Sequence, residues 1–415
     1  MQKVIIPSTI NGELNAPPSK SLTQRAIASA LLAKGKTVIF NPSFCNDSVA
    51  ALAIVESLGA KVERFVDKIE IIGGRDVLNQ TLNCGESGLA VRMFSPIAAL
   101  YNKEFIVSGE GSLQTRPLNM IEDALVQLGA SVKTNNGFLP LSINGLLKGG
   151  KAFIDGSLSS QLLTGLLMAL PCAENDSLVY MNQLRSKPYI DMTIQLLDKF
   201  NIEIKNNNYE SFEIKGKQKY KAIEYTVEGD WSGASFLLVA GAIGGSITVD
   251  GLSTFSRQSD VRVLSALRDS GAKISVANNK ITVEKAELRC FNFDATECPD
   301  LFPPLVALAA YCEGVSEISG VERLLHKESN RAIALKQEFE KLGIEISFFD
   351  NKMFVKGGNI HSATIDSHND HRIAMAAVVA AIGAKGKTVI NSAECIAKSY
   401  PDFFVDMKKV GVEIM

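Results

Sequence analysis

One pattern returns along the chain about every 70 residues, and it limits the fold more than any other feature. A short helical stretch ends in Leu-Gly or a close equivalent and runs straight into two strand-like stretches. It reads "AIVESLGAKVERFVDKIEIIGG" from Ala53, "ALVQLGASVKTNNGFLPLSING" from Ala124 and "LLDKFNIEIKNNNYESFEIKGK" from Leu196. It comes back as "ALRDSGAKISVANNKITVEK" from Ala266 and "EFEKLGIEISFFDNKMFVKGG" from Glu338, and "VDMKKVGVEIM" ends the chain as a shortened copy. Gly59, Gly129, Asn201, Gly271, Gly343 and Gly411 hold the equivalent place. It fits the residue just past a helix end, where a left-handed backbone costs glycine little.

A second helix falls between successive copies. It opens near "PPSKSLTQRAIASALLA", "GESGLAVRMFSPIAAL", "SSQLLTGLLMAL", "WSGASFLLVAGAI", "CPDLFPPLVALAAY" and "HNDHRIAMAAVVAAIG". These helices are apolar almost all round and should be buried. Each leads to a strand-like run such as "KTVIF" or "KTVINS". A unit is thus two helices and about four strands, and about six such units fill the chain. The expected fold is α/β with two similar domains of three units each. The polar stretch "KQKYKAIEYTVEGDWSG" is a natural crossing point between them.

A chain of 415 residues with 46% hydrophobic content can bury a large core. Its net charge of −2 gives no support to a nucleic-acid or membrane-surface partner. No apolar run has the length of a membrane span, and the N-terminus has no targeting pattern. The seven cysteines are scattered and read as reduced thiols of a cytoplasmic protein. Four histidines without HExxH-type spacing make a catalytic metal unexpected.

The inner-helix starts carry the chemistry. Helix N-termini have unpaired N–H groups and a positive dipole end, and so attract anions. Lys20, Ser21 and Arg25 stand at one start, Gly88 and Arg92 at another, Ser159, Ser160 and Gln161 at a third, and His371 and Arg372 at a fourth. Any one such set can be read as N-capping; four together point further. Loops add Arg116 in "GEGSLQTRP", Lys327, Glu328 and Arg331 in "RLLHKESNRA", and Lys398 in "CIAKSYPDFF". Ser186 and Tyr189 flank Pro188. Asp300 in "TECPDLFPP" is open to two readings, a helix cap or a carboxylate tuned by apolar surroundings. A cation excess in a net-acidic chain suits small ligands that carry phosphate and carboxylate. With no GxxxxGK[ST] or GxGxxG motif, a nucleotide is not indicated.

"PPSKSLTQRA", "GEGSLQTRP", "SSQLLTGLLMA", "SKPYIDM", "HKESNR", "NDHRIAM" and "AKSYPDFF", in this order, resemble the 3-phosphoshikimate 1-carboxyvinyltransferases, or EPSP synthases. The motifs extend over nearly the whole chain. The resemblance implies two domains, each of three βαβαββ-type repeats, joined by two crossing segments, so that residues 1–13 with 229–415 form one discontinuous domain and residues 14–228 the other, with the active site in the interdomain cleft. It implies transfer of the enolpyruvyl group of phosphoenolpyruvate to the 5-hydroxyl of shikimate 3-phosphate, without cofactor or metal, by a monomer. By motif, the shikimate 3-phosphate ligands fall on Lys20, Ser21, Arg25, Ser159, Ser160, Gln161, Ser186, Tyr189, Asp300 and Lys327. Those of phosphoenolpyruvate fall on Lys20, Gly88, Arg116, Gln161, Arg331, Arg372 and Lys398. Asp300, Glu328 and Lys20 match the catalytic groups.

The sequence departs from the family pattern at two places. Glu86, Ser87, Gly88 and Leu89 stand where Asn-Ala-Gly-Thr is usual, and Arg323 stands where Asn is common. Two alternatives share the architecture. One is a UDP-N-acetylglucosamine enolpyruvyl transferase, which usually carries a reactive Cys where this chain has Gly111. The other is a repeat-built scaffold without catalysis.

Overall fold

The computed structural model describes every residue except Arg75 and His326. Its backbone forms two compact units. One comprises Met1–Pro17 and Glu228–Met415, the other Pro18–Val227. Among the described residues there are six four-stranded sheets, three in each unit.

The repeat is simplest to follow from residue 81 to 144. Strand Thr81–Asn83 leads into helix Gly88–Ala98 and returns as strand Phe105–Ser108, parallel to the first. A parallel pair requires a crossover connection of this kind. Helix Asn119–Gln127 follows, and strands Ser131–Asn135 and Phe138–Asn144 close an antiparallel hairpin on the central strand. This is a βαβαββ unit. Residues 151–214 and 292–356 repeat it without interruption.

The other three sheets borrow a strand from far along the chain. Ile10–Asn15 pairs in parallel with Gly245–Asp250. Lys3–Ile6 lies between Thr388–Asn391 and Glu413–Ile414. Glu224–Thr226 pairs in parallel with Lys36–Phe40. The chain therefore leaves the first unit after its second strand and returns to it after Thr226, which makes that unit discontinuous.

In each unit the inner helices are sunk in the core. All eight residues of Phe302–Ala309 are buried, as are all eleven of Gly88–Ala98 and of His371–Ala381. Burying a side chain such as Leu305 contributes roughly 1.5–3 kcal/mol. Helices Gly88–Ala98 and Gln161–Ala169 approach so closely at Gly165 that a Cβ there would stand 2.5 Å from the Arg92 carbonyl oxygen. The strands alternate buried with exposed residues, as in Phe138–Asn144, so each sheet covers the core with one face. The repeated residue past each outer helix is left-handed in all six copies, with φ from +64° at Asn201 to +102° at Gly59. No helix among the described residues is long and apolar enough to cross a membrane.

Candidate active site

The unit Pro18–Val227 gathers its candidates at the starts of three inner helices. Arg25, on helix Lys20–Leu32, is almost wholly buried, yet its hydrogen-bond partners among the described residues are neutral. Its Nε donates to Thr193 Oγ1 at 2.9 Å and its Nη2 to Thr164 Oγ1 at 3.3 Å. Its Nη1 donates to the carbonyl oxygen (3.0 Å) and hydroxyl of Ser21. Burial pushes the Arg25 pKa down to about 10, with Tyr189 and Tyr225 working the other way. Because the Ser21 hydroxyl accepts from Arg25, its own proton is left to donate outward. A cation whose partners among the described residues are hydroxyls and one carbonyl suits an incoming anion. Ser186 is left-handed at the start of helix Lys187–Lys199, the helix that carries Tyr189 and Thr193.

A second group in this unit surrounds Gly88. A Cβ there would meet Arg116 Nη1 at 2.6 Å, Arg92 Nη1 at 3.0 Å and Gln161 Oε1 at 3.6 Å. Arg92 donates to the carbonyl oxygens of Gly88 (3.1 Å) and Pro117 (3.2 Å) and to Gln161 Oε1 (3.4 Å), and so ties the loop of Arg116 to two helix starts. The Ser159 hydroxyl accepts from the Gln161 N–H at 3.1 Å, and Ser160 is the N-cap residue. Lys20 pairs with Asp47 at 2.9 Å. Glu86, the atypical acid, turns its carboxylate onto Gly111 and accepts from the Ser112 N–H.

In the other unit the candidates form an ionic network. The Asp300 carboxylate accepts from Lys327 Nζ (3.1 Å), Arg331 Nη1 (3.0 Å) and Arg372 Nη2 (3.3 Å). That occupation decides between the two sequence readings: the side chain serves three cations and not a helix end. Burial alone would raise the Asp300 pKa, but Arg372, Lys327 and Arg331 outweigh it and hold the carboxyl well below its usual range. Arg331 is fully buried and joins three acids. Besides Asp300, its Nη2 pairs with Glu328, and Asp370 grips its Nε at 2.9 Å and its Nη2 at 3.2 Å. Burial opposes this charge, but Asp370, Glu328 and Asp300 prevail and push the Arg331 pKa up. Burial pushes the Lys327 pKa down; Asp300 opposes that shift, while Arg331 and the nearby Arg323 add to it.

Asp370 also accepts from the Arg372 N–H at 2.9 Å, as cap of helix His371–Ala381. One carboxylate thus aligns two arginines. His371 is buried with Nδ1 4.0 Å from Asp370, and Lys398 donates to the Asn369 carbonyl at 2.7 Å, holding the same loop. Asp260 lies behind Asp300, buried, with hydroxyl partners Ser232 and Ser259. Burial, then Asp300, pushes its pKa up to about 6 against Arg372 and Ser232. Among the described residues there is no group of three or more His, Cys, Asp and Glu that could hold a metal ion.

Within each unit, then, most of the sequence candidates do meet. Ser21, Arg25 and Tyr189 belong to one group, Gly88, Arg116 and Gln161 to another, and Asp300, Lys327, Glu328, Arg331 and Arg372 to a third. Sequence reading missed Asp47, Thr164, Thr193, Asp260 and the double grip of Asp370. Asp47, in the first turn of helix Asn46–Ser57, looks like an ordinary acid facing a helix dipole. Asp370 looks like an ordinary N-cap.

A family model described as EPSP synthase (3-phosphoshikimate 1-carboxyvinyltransferase) matches residues 4–407. The chain belongs to this family. Among curated relatives, the 3-phosphoshikimate 1-carboxyvinyltransferase of Clostridium novyi is 38% identical over 420 residues, covering 98% of this chain and 97% of its own. That of Methanocorpusculum labreanum is 36% identical over 420 residues, covering 100% and 99%. The solved structure of EPSP synthase from Acinetobacter baumannii superposes with a TM-score of 0.84 at 25% identity, covering 100% of this chain and 99% of that one. The six-sheet architecture is therefore the enolpyruvyl transferase fold.

Proposed function

We propose that Asp300, Glu328 and Lys20 carry the proton transfers of the family reaction, and that the cations around them hold its two anionic substrates. The chain is a 3-phosphoshikimate 1-carboxyvinyltransferase: it moves the enolpyruvyl group of phosphoenolpyruvate to the 5-hydroxyl of shikimate 3-phosphate and releases phosphate. Neither alternative acceptor nor scaffold is favoured by this membership.

The observation that carries the assignment is the fork of Arg331. One guanidinium joins Asp300 through Nη1 and Glu328 through Nη2, while Asp370 pins it from the other side. A base should have a pKa near the working pH, and three cations leave Asp300 a weak one. Phosphate and carboxylate of the substrates supply the missing negative charge. As those anions draw on Lys327, Arg372 and the Nη edge of Arg331, whose Nε stays with Asp370, Asp300 loses positive neighbours and becomes more basic. Asp300 then takes the 5-hydroxyl proton as that oxygen attacks, and a protonated Glu328 gives its proton to the methylene carbon. Phosphate then leaves the tetrahedral intermediate while Glu328 takes a proton back from the new methyl group, which restores the double bond.

Under this reading Ser21, Arg25, Ser159, Ser160, Gln161, Ser186, Tyr189, Asp300 and Lys327 contact shikimate 3-phosphate. Gly88, Arg116, Gln161, Arg331, Arg372 and Lys398 contact phosphoenolpyruvate, with Lys20 serving both. Arg25 acts mainly through Ser21, since its own side chain is buried. The reading also makes the enzyme a cytoplasmic monomer, in keeping with its seven free cysteines. Phosphate release from phosphoenolpyruvate, measured with shikimate 3-phosphate and with UDP-N-acetylglucosamine, tests the acceptor. In the same assay Arg372→Ala should raise the KM for phosphoenolpyruvate on the order of 10²-fold, through loss of a charge-assisted contact, and that for shikimate 3-phosphate far less. A rise confined to shikimate 3-phosphate would show the ligand assignment to be wrong.

A further inference from the structure

We propose that Glu86 is a positioning residue for Arg116, and that it acts through the loop Gly109–Pro117. The proposal rests on the assignment of Arg116 to phosphoenolpyruvate. Glu86 sits in the turn before helix Gly88–Ala98, and its Oε2 accepts from the Ser112 N–H at 3.1 Å. Both carboxylate oxygens lie against Gly111. A Cβ at that residue would be 2.9 Å from Oε1 and would meet Oε2 and Cδ at closer range still. Gly111 also has φ +50°, so any side chain there is strained as well as blocked. The residue pair is matched: the loop has no side chain where the carboxylate must lie.

Ser112 passes the constraint on. Its backbone N–H is held by Glu86, and its hydroxyl accepts from Arg116 Nη2 at 3.4 Å. Arg116 Nη1 lies over Gly88, the helix start where the donor is assigned. The far side of the same loop is fixed to the same turn independently. The Glu110 N–H donates to the Gly85 carbonyl at 2.7 Å, and Glu110 Oε1 accepts from Asn83 at 2.8 Å. Those two bonds hold the loop at its entry, and Glu86 holds it at Ser112, nearer to Arg116. A carboxylate accepting a backbone N–H is a strong, directional partner. Its reach across to Ser112 explains how an acid is tolerated beside an anion site: its charge is turned onto the loop.

Steady-state kinetics on the full chain tests this, with both substrates varied. Glu86→Ala should raise the KM for phosphoenolpyruvate about tenfold and leave kcat and the KM for shikimate 3-phosphate within about twofold. Glu86→Gln should stay near the parent, because an amide oxygen can still accept from Ser112. Arg116→Ala serves as the reference, and adding Glu86→Ala to it should give no further rise, since the two act on one contact. If Glu86→Ala is too unstable to assay, Gly111→Ala, which displaces the carboxylate, should show the same selective rise. An unchanged KM for phosphoenolpyruvate in Glu86→Ala, a rise in both KM values together, or multiplying effects in the double variant overturns the proposal. No effect of Arg116→Ala overturns the donor assignment beneath it.

Discussion

Asp300→Asn separates chemistry from binding. The amide has the size of the carboxylate, but it is neutral and carries one donor edge. Three cation donors converge on Asp300, at 3.1, 3.0 and 3.3 Å. The amide oxygen can accept from some of them, while its NH2 group must face another and repel it. A general base is worth about 10² to 10⁴-fold, so kcat should fall in that range, or roughly 3–5 kcal/mol in barrier. The KM for shikimate 3-phosphate should move by less, about tenfold, since only one hydrogen bond of roughly 1 kcal/mol is at stake. Removing one anion from among three cations should also lower stability, by about 1–2 kcal/mol after allowance for partial exposure of the site. The pH dependence of that loss has a definite sign. The folded pKa of Asp300 lies below the unfolded value of about 3.9. Its stabilisation is therefore complete above pH ~4 and fades only as pH falls through the folded value. The melting gap between parent and variant should close below about pH 4, and between pH 5 and 8 it should narrow somewhat as pH rises, because Asp260 ionises more easily without the Asp300 charge. Phosphate-release kinetics and thermal melts on the same preparations provide both readouts. A near-parental kcat would remove Asp300 from the mechanism.

Asp260→Asn should behave in the opposite sense with pH. With a folded pKa of about 6, above the unfolded ~3.9, Asp260 costs the parent stability as pH rises through that window. The variant should gain on the parent by up to about 3 kcal/mol, or several degrees of melting temperature, between pH 4 and 8; parallel melting curves would contradict the shift. Gly88→Ala places a methyl 2.6 Å from Arg116 Nη1 and 3.0 Å from Arg92 Nη1. Both are ends of flexible side chains, so the fold should survive while the KM for phosphoenolpyruvate rises about tenfold; an unchanged KM would mean that the donor does not lie at this helix start.

What was legible in the sequence was whatever is local and periodic. The left-handed residue past each outer helix, the all-round apolar inner helices and the paired strands recur in each copy, so one copy supports the next. The borrowed strands were not legible in the residues themselves, and only the family resemblance put residues 1–13 with 229–415. "KVII" and "EYT" are four and three residues long, and nothing in so short a run names a partner more than 180 residues away. The same limit applies to the site. Helix-start positions could be found because helix ends have fixed chemistry. Which acid faces which cation could not, because that follows from packing between separate repeats. Asp370 and Arg331 lie 39 residues apart in sequence, and each has an ordinary local explanation as a cap and as a first-turn residue.

The two units handle buried charge in contrasting ways, and the contrast bears on what an arriving anion meets in each. Around Arg25 the cation is backed by hydroxyls and one carbonyl, so an anion arriving at Ser21 meets positive potential with no acid among the described partners to displace. Around Asp300 the cations are already neutralised by Asp300, Glu328 and Asp370. An anion arriving there must compete with resident carboxylates, and it gains only what they yield. Asp370 is the least able to yield, being fully buried and bonded to both arginines. Asp300 and Glu328 retain some exposure, so they are the acids a substrate anion can free. On the proposed assignment, the groups released by binding are the two carboxylates among the proton carriers. A carboxylate held ionised by cations until the substrate draws them off becomes a competent base only when there is a hydroxyl to deprotonate.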